Sequence, residues 1–122
     1  MQARGGGRII NLTTSNTSGR DGGAPGLPVP LAYPASKAAL DQFCRSVALQ
    51  LRELGVSIVN LDPGFVRTEL VDVMASSGMD ASAAIPIDVP TRAIAHLATC
   101  ADPMAHTGEV VFAERLVEQY EL

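Results

Sequence analysis

Two short apolar runs that bracket one long helical run constrain this fold more than any other feature of the chain. Ile9, Ile10 and Leu12 follow Gly5-Gly6-Gly7, and Val56, Ile58, Val59 and Leu61 follow Gly55. Each run is too short for a buried helix and reads as a strand, the first of them buried on both faces. Between them the sequence predicts a helix over 34–54. Pro34 suits a first turn, where its missing N–H is no loss, and Gly55 is a C′ stop. Strand, helix, strand in this order is a βαβ unit, whose crossover should be right-handed. An α/β fold with a parallel sheet is the expectation.

Within the helix, Leu40, Phe43, Val47, Leu51 and Leu54 recur at helical spacing and predict one apolar stripe, with Asp41, Gln42, Arg45, Gln50 and Arg52 on other faces. Ala38, Ala39, Cys44 and Ala48 leave part of the surface small, which would let a second helix approach closely. Gly19 to Pro30 is too rich in Gly and Pro for regular structure and reads as a loop. Its functional reading is a wall of a substrate pocket. Phe65 to Pro86 is weakly amphipathic and reads as a mobile lid or short helices, with Met74 and Met79 as adaptable packing. A second helix is expected over about 88–101, with Asp88 as N-cap, Pro90 in the first turn, and Ile94, Leu97 and Ala98 buried. Glu109 to Phe112 reads as a last strand, followed by an acidic, partly helical tail from Ala113 to Leu122.

A chain of 122 residues, 47% hydrophobic and 18% charged, suits one domain with one modest core. Its formal charge of −4, with no basic cluster, argues against nucleic acid or an anionic membrane and favours a small-molecule partner. Cys44 and Cys100 form no CxxC pair and read as reduced, buried thiols. His96 and His106 read as helix-surface and loop residues, and no zinc-ligand spacing or other metal set occurs. No stretch of eighteen apolar residues and no signal-peptide pattern is present, so the cytoplasm is the default location. Neither GxGxxG nor GxxxxGK[ST] occurs, and the three early glycines precede a strand instead of following one.

Chemistry concentrates in Tyr33-Pro34-Ala35-Ser36-Lys37. On a helix, a phenol and an ammonium four residues apart lie one turn apart on the same face. A free phenol exchanges protons poorly near neutrality, and a nearby cation favours the phenolate, which makes Tyr33 a candidate general acid/base. The polar stretch Asn11 to Ser18 leaves the carboxyl end of the first strand, where parallel α/β sheets bind ligands.

Three stretches in order, Gly7-Arg8-Ile9-Ile10-Asn11-Leu12-Thr13-Thr14-Ser15, Tyr33 to Lys37, and Asp62-Pro63-Gly64-Phe65-Val66-Arg67-Thr68-Glu69-Leu70, resemble the C-terminal half of a short-chain dehydrogenase/reductase. The resemblance runs from the first strand to the strand at Glu109 to Phe112. It implies the C-terminal part of a Rossmann-like doubly wound parallel sheet and an oxidoreductase that passes hydride between NAD or NADP and a carbonyl or alcohol. Tyr33 would be the acid/base. Lys37 would favour the phenolate and, with Tyr33 beside it, bind the nicotinamide ribose. The hydroxyl that orients the substrate carbonyl would come from Thr14 or, with a one-residue shift in register, from Ser15, where the family usually has serines. Pro63 and Gly64 would let the backbone pass close to the nicotinamide, Phe65 and Val66 would help to cover the ring, and Thr68 would hydrogen-bond the amide or phosphates.

Missing from the sequence are the glycine-rich pyrophosphate turn, the residue that discriminates NAD from NADP, and the helix with the fourth catalytic residue. These absences lead to the expectation that residues 1–122 are a partial NAD(P)-binding domain, the C-terminal piece of a longer protein, unable alone to turn over a carbonyl at a useful rate. A homo-oligomer through the Tyr33 to Leu54 helix is implied for the full-length form. The alternatives are a sugar-nucleotide epimerase or dehydratase of the same superfamily and a non-catalytic remnant that acts by association through an open sheet edge.

Overall fold

A computed structural model of the chain describes residues 1–14 and 32–122. The loop expected at Gly19 to Pro30 and the hydroxyl of Ser15 lie outside the described residues. Three parallel strands form one sheet in the order β1 (Gly7–Leu12), β2 (Val56–Asp62), β3 (Val110–Phe112). Helix α1 (Ala32–Glu53) joins β1 to β2, and α2 (Glu69–Ser76) and α3 (Asp88–Thr99) lie between β2 and β3. A last helix, α4 (Ala113–Gln119), continues directly from β3 and accounts for the helical part of the tail.

The register pairs Ile9 with Ile58, Ile10 with Val59 and Asn11 with Asn60. Because side chains alternate across a strand, the sheet has two different faces. On one, Ile58 packs with Cys44 and Ala48 of α1, with Ile9, Val47 and Leu51 around them. On the other, Val59, Leu61 and Val111 pack with Ala93 and Leu97 of α3 and Ala113 and Leu116 of α4. Helices thus cover both faces, the doubly wound arrangement.

β2 is buried along its whole length, as a central parallel strand should be. β1 differs from its expectation: it is an edge strand of only intermediate burial, and Leu12 is exposed. The Arg8 guanidinium ties this edge to α3 by donating to the carbonyls of Leu97, at 2.9 Å, and Cys100, at 2.7 Å. It closes two of the carbonyls that a helix end leaves open.

Other boundaries need correction. α1 begins at Ala32, so Tyr33 and Pro34 both lie in its first turn, and it ends at Glu53; Gly55, at φ 69°, makes the turn after it. The N-cap of α3 is Ile87, without a side-chain cap. Asp88 is the first helical residue and pairs instead with Arg92 at 2.9 Å. Ala93, not Ile94 or Ala98, joins Leu97 in the core. β3 starts at Val110, one residue later than expected, and the chain from Phe65 to Pro86 holds one helix, α2.

The largest correction is the inward face of α1. Asp41, Cys44 and Ala48 are its buried residues, whereas Phe43 and Leu54 of the predicted stripe are exposed, and Leu40, Val47 and Leu51 are half-buried at its border. Close approach explains this. A Cβ placed on Gly108 beside the sheet would stand 2.8 Å from the Cβ of Ala48, so the helix lies too near for large side chains between them. Cys44 is buried as expected, but Cys100 is only partly so. Among the described residues no helix is long and apolar enough to cross a membrane.

Candidate functional site at the carboxyl end of the sheet

Parallel pairing sets the carboxyl ends of β1 and β2 side by side, with Leu12 opposite Leu61. At β1, Thr13 keeps the sheet bond, its N–H donating to the Leu61 carbonyl at 2.9 Å. Its side chain is 2% exposed, and its Oγ1 has no hydrogen-bond partner among the described residues. Thr14 is the next residue and is partly exposed.

The first turn of α1 stands over this strand end. The Lys37 ammonium donates to the Leu12 carbonyl at 2.7 Å. Its Nζ also lies 5.8 Å from the centre of the Tyr33 ring, within cation–π range. Tyr33 is 45% exposed, so its phenol is open to a ligand. The hydroxyl of Ser36 donates to the Tyr33 carbonyl at 2.7 Å and steadies the turn between them. The structure therefore brings Tyr33 and Lys37 together at the carboxyl end of β1.

At the end of β2, Asp62 accepts the Gly64 N–H at 2.8 Å and folds Pro63-Gly64 into a tight turn. Gly64 has φ 78°, and a Cβ there would press on Ile85 at 3.2 Å, so only glycine sits without strain. Phe65 and Val66 are half-buried, and their backbone pairs with Ile85, which donates its N–H to the Phe65 carbonyl at 2.8 Å and bridges Val66. Thr68 is the N-cap of α2, its Oγ1 accepting from the Val71 N–H at 3.4 Å. Its hydroxyl proton remains to be donated elsewhere.

Sequence reasoning missed a polar chain just below this end. Asn60, fully buried in β2, donates from Nδ2 to Oδ1 of Asp41 at 2.7 Å and accepts at Oδ1 from Nδ2 of Asn11 at 3.0 Å. A signal existed: Asn60 is a polar residue inside an apolar run, and Asp41 follows Lys37 by one more helical turn. Burial first, and the nearby Asp41 carboxylate second, push the Cys44 thiol above its ordinary value. Fully buried and packed with Ala48 and Ile58, it is a structural thiol. His106 is not a plain loop residue, since it bonds Glu109 at 3.2 Å and the Tyr120 hydroxyl at 3.0 Å. With His96 stacked on Tyr120, it borders a cavity of about 250 Å³ beside α3, lined by neither Tyr33 nor Lys37. No group of metal-ligating side chains occurs among the described residues.

The family model for short chain dehydrogenases matches residues 1–77. The chain is 35% identical over 72 residues to a D-beta-hydroxybutyrate dehydrogenase of Rhizobium meliloti, covering 59% of this chain and 26% of that protein. It is 30% identical over 116 residues to the short-chain reductase protein NovJ of Streptomyces niveus, covering 94% of this chain and 40% of that one. A crystal structure of a short-chain dehydrogenase/reductase family oxidoreductase from Burkholderia thailandensis superposes with a TM-score of 0.73 at 25% identity, over 97% of this chain and 47% of its own. ElxO with NADP bound shares the fold at a TM-score of 0.73 and 21% identity, over 98% of this chain and 50% of its own. The chain thus spans half or less of the length of each of these proteins.

Proposed function

The chain belongs to the short-chain dehydrogenase family, and on that premise we propose that it carries the catalytic end of an NAD- or NADP-dependent oxidoreductase that interconverts a small-molecule carbonyl and an alcohol. The observation that carries this reading is the Tyr33–Lys37 pair, held over the end of β1 by the 2.7 Å bond from Lys37 to Leu12. The residues fit a nicotinamide nucleotide in one testable respect, the strained Gly64 turn, where a Cβ would fill the space in front of Ile85. Lys37 uses one N–H on Leu12 and keeps two donors for ribose hydroxyls, with Tyr33 beside them. Pro63 and Gly64 form the wall of the nucleotide site, Phe65 and Val66 buttress it through Ile85, and Thr68 gives its hydroxyl proton to the amide or phosphates.

Bound there, the nicotinamide supplies or accepts the hydride. In the reducing direction Tyr33 gives its phenolic proton to the carbonyl oxygen: its O–H bond breaks, the alcohol O–H forms, and the Lys37 cation stabilises the phenolate left behind. Thr14 or Ser15 orients the carbonyl by donating a hydrogen bond. Phe43 at 56% exposure and Leu49 at 74% are large apolar side chains left open on the outer half of α1, which supports self-association through this helix.

The test is nucleotide binding to the full-length gene product, followed by NADPH and NADH fluorescence. Wild type should bind at least one of them, and Lys37→Met should weaken binding about tenfold, as loss of a charge-assisted hydrogen bond does. Equal binding by Lys37→Met would remove Lys37 from the site.

A further inference from the structure

Tyr33, Lys37, Asp41, Cys44 and Ala48 follow one another at spacings of three and four residues, so they form a single stripe along α1. Its lower part is apolar, Ala48 and Cys44 packing with Ile58. Apolar contact is non-directional and tolerates small sliding of a helix along a sheet. One turn higher the contact becomes directional. Asp41, 7% exposed, accepts from Asn60, which in turn accepts from Asn11, so a carboxylate on α1 is tied through β2 to β1. One turn higher again, Lys37 grips the carbonyl of Leu12, the residue after Asn11. The same helix is therefore fixed to the same edge strand at two consecutive levels, and the lower level sets the height of the upper. Asp41 lies a full turn beyond Lys37 along the helix, and its recorded bond runs to Asn60, away from the Leu12 carbonyl.

We propose that Asp41 is a positioning residue, acting through Asn60 and Asn11 to hold Lys37 in register with the Leu12 carbonyl. Its importance for nucleotide binding rests on the dehydrogenase reading, but the geometry is tested without it. Lys37 is the single lysine of the chain, so ¹⁵N-lysine labelling yields one side-chain ammonium signal, whose exchange with water reports its hydrogen bond. In the folded wild-type chain that signal should be protected. Asp41→Ala should speed its exchange about tenfold, and Asp41→Asn, which keeps an acceptor oxygen, should restore it to within about twofold. Leu97→Ala, on the opposite face of the sheet, should destabilise the fold and leave the signal unchanged, which a purely structural role for Asp41 would not distinguish.

Should Asp41→Ala fail to fold, Asn11→Ala interrupts the same chain from the half-buried edge strand and should also speed the exchange. A wild-type Lys37 signal in the folded Asp41→Ala or Asn11→Ala chain overturns the inference, as does equal loss in Leu97→Ala or an unprotected signal in the folded wild type. If Lys37 follows Asp41 as expected and yet Lys37→Met binds nucleotide normally, the positioning stands and the dehydrogenase reading falls.

Discussion

The two faces of α1 obey opposite rules. The inner face carries small or polar residues, Ala48, Cys44, Asp41 and Lys37, and it is the one that meets the sheet; the outer carries Phe43 and Leu49 and lies exposed. Size, not polarity, decides which face goes in, because Gly108 and Ala48 meet too closely to admit a bulky side chain. Polarity is then accommodated by pairing: every recorded polar contact on the inner face has a partner on β1 or β2. The lesson is that a helix over a parallel sheet can be fixed at the strand end by small and polar residues, Lys37 among them, and leave large apolar side chains on its outer half.

This contrast can be broken or sharpened by four changes. Ile58→Ala removes the fully buried large side chain between α1 and the sheet, and should cost about 4 kcal/mol in urea unfolding. A loss below about 1 kcal/mol would mean that the inner face is not packed as described. Gly108→Ala adds a Cβ 2.8 Å from Ala48 at a backbone φ of 86°, and should cost about 2–3 kcal/mol by lifting the helix and straining the turn. Neutral behaviour would show the approach to be looser.

The third change is in pH. The folded state keeps the Cys44 thiol neutral above its ordinary value of 9.0, whereas the unfolded chain ionises it there and binds fewer protons. Stability is thus complete below that value and falls as pH rises above it, by up to about 1.4 kcal/mol per unit, and Cys44→Ala should flatten the slope. An identical slope in the variant would assign the loss to other groups. Smallest is the effect of Phe43→Ser with Leu49→Ser on the outer face, within about 0.5 kcal/mol of wild type in a dilute monomer. The same pair should abolish self-association by sedimentation of the full-length protein, and an unchanged oligomer would place the contact elsewhere.

The strands, the long helix and the turn after β2 were legible, because β-branched runs, Gly55 and Pro63-Gly64 act locally. Tyr33 and Lys37 were legible as a pair because a helical turn fixes their spacing, whatever they pack against. The orientation of α1 was not, since periodicity counts apolar bulk and cannot see how closely Gly108 lets Ala48 approach. Asp41 was read as a surface residue for a related reason: its burial depends on Asn60, nineteen positions away across the sheet. β1 was read as buried on both faces, and Ile9 and Ile10 do pack against the two opposite cores, but only partly, because the strand lies at one edge of the described sheet. The capping of α2 by Thr68 was missed because the amphipathic signal that follows is weak.

The most direct test of the account is carbonyl reduction by the full-length gene product with Tyr33→Phe, measured together with nucleotide binding. Loss of the phenolic proton should lower turnover by about 10²–10⁴-fold, the usual scale of general acid catalysis, while nucleotide affinity and folding stay close to wild type. Turnover equal to wild type, with the nucleotide still bound, would contradict the role of Tyr33 and with it the reading of the whole inner face of α1 as the support of a catalytic pair.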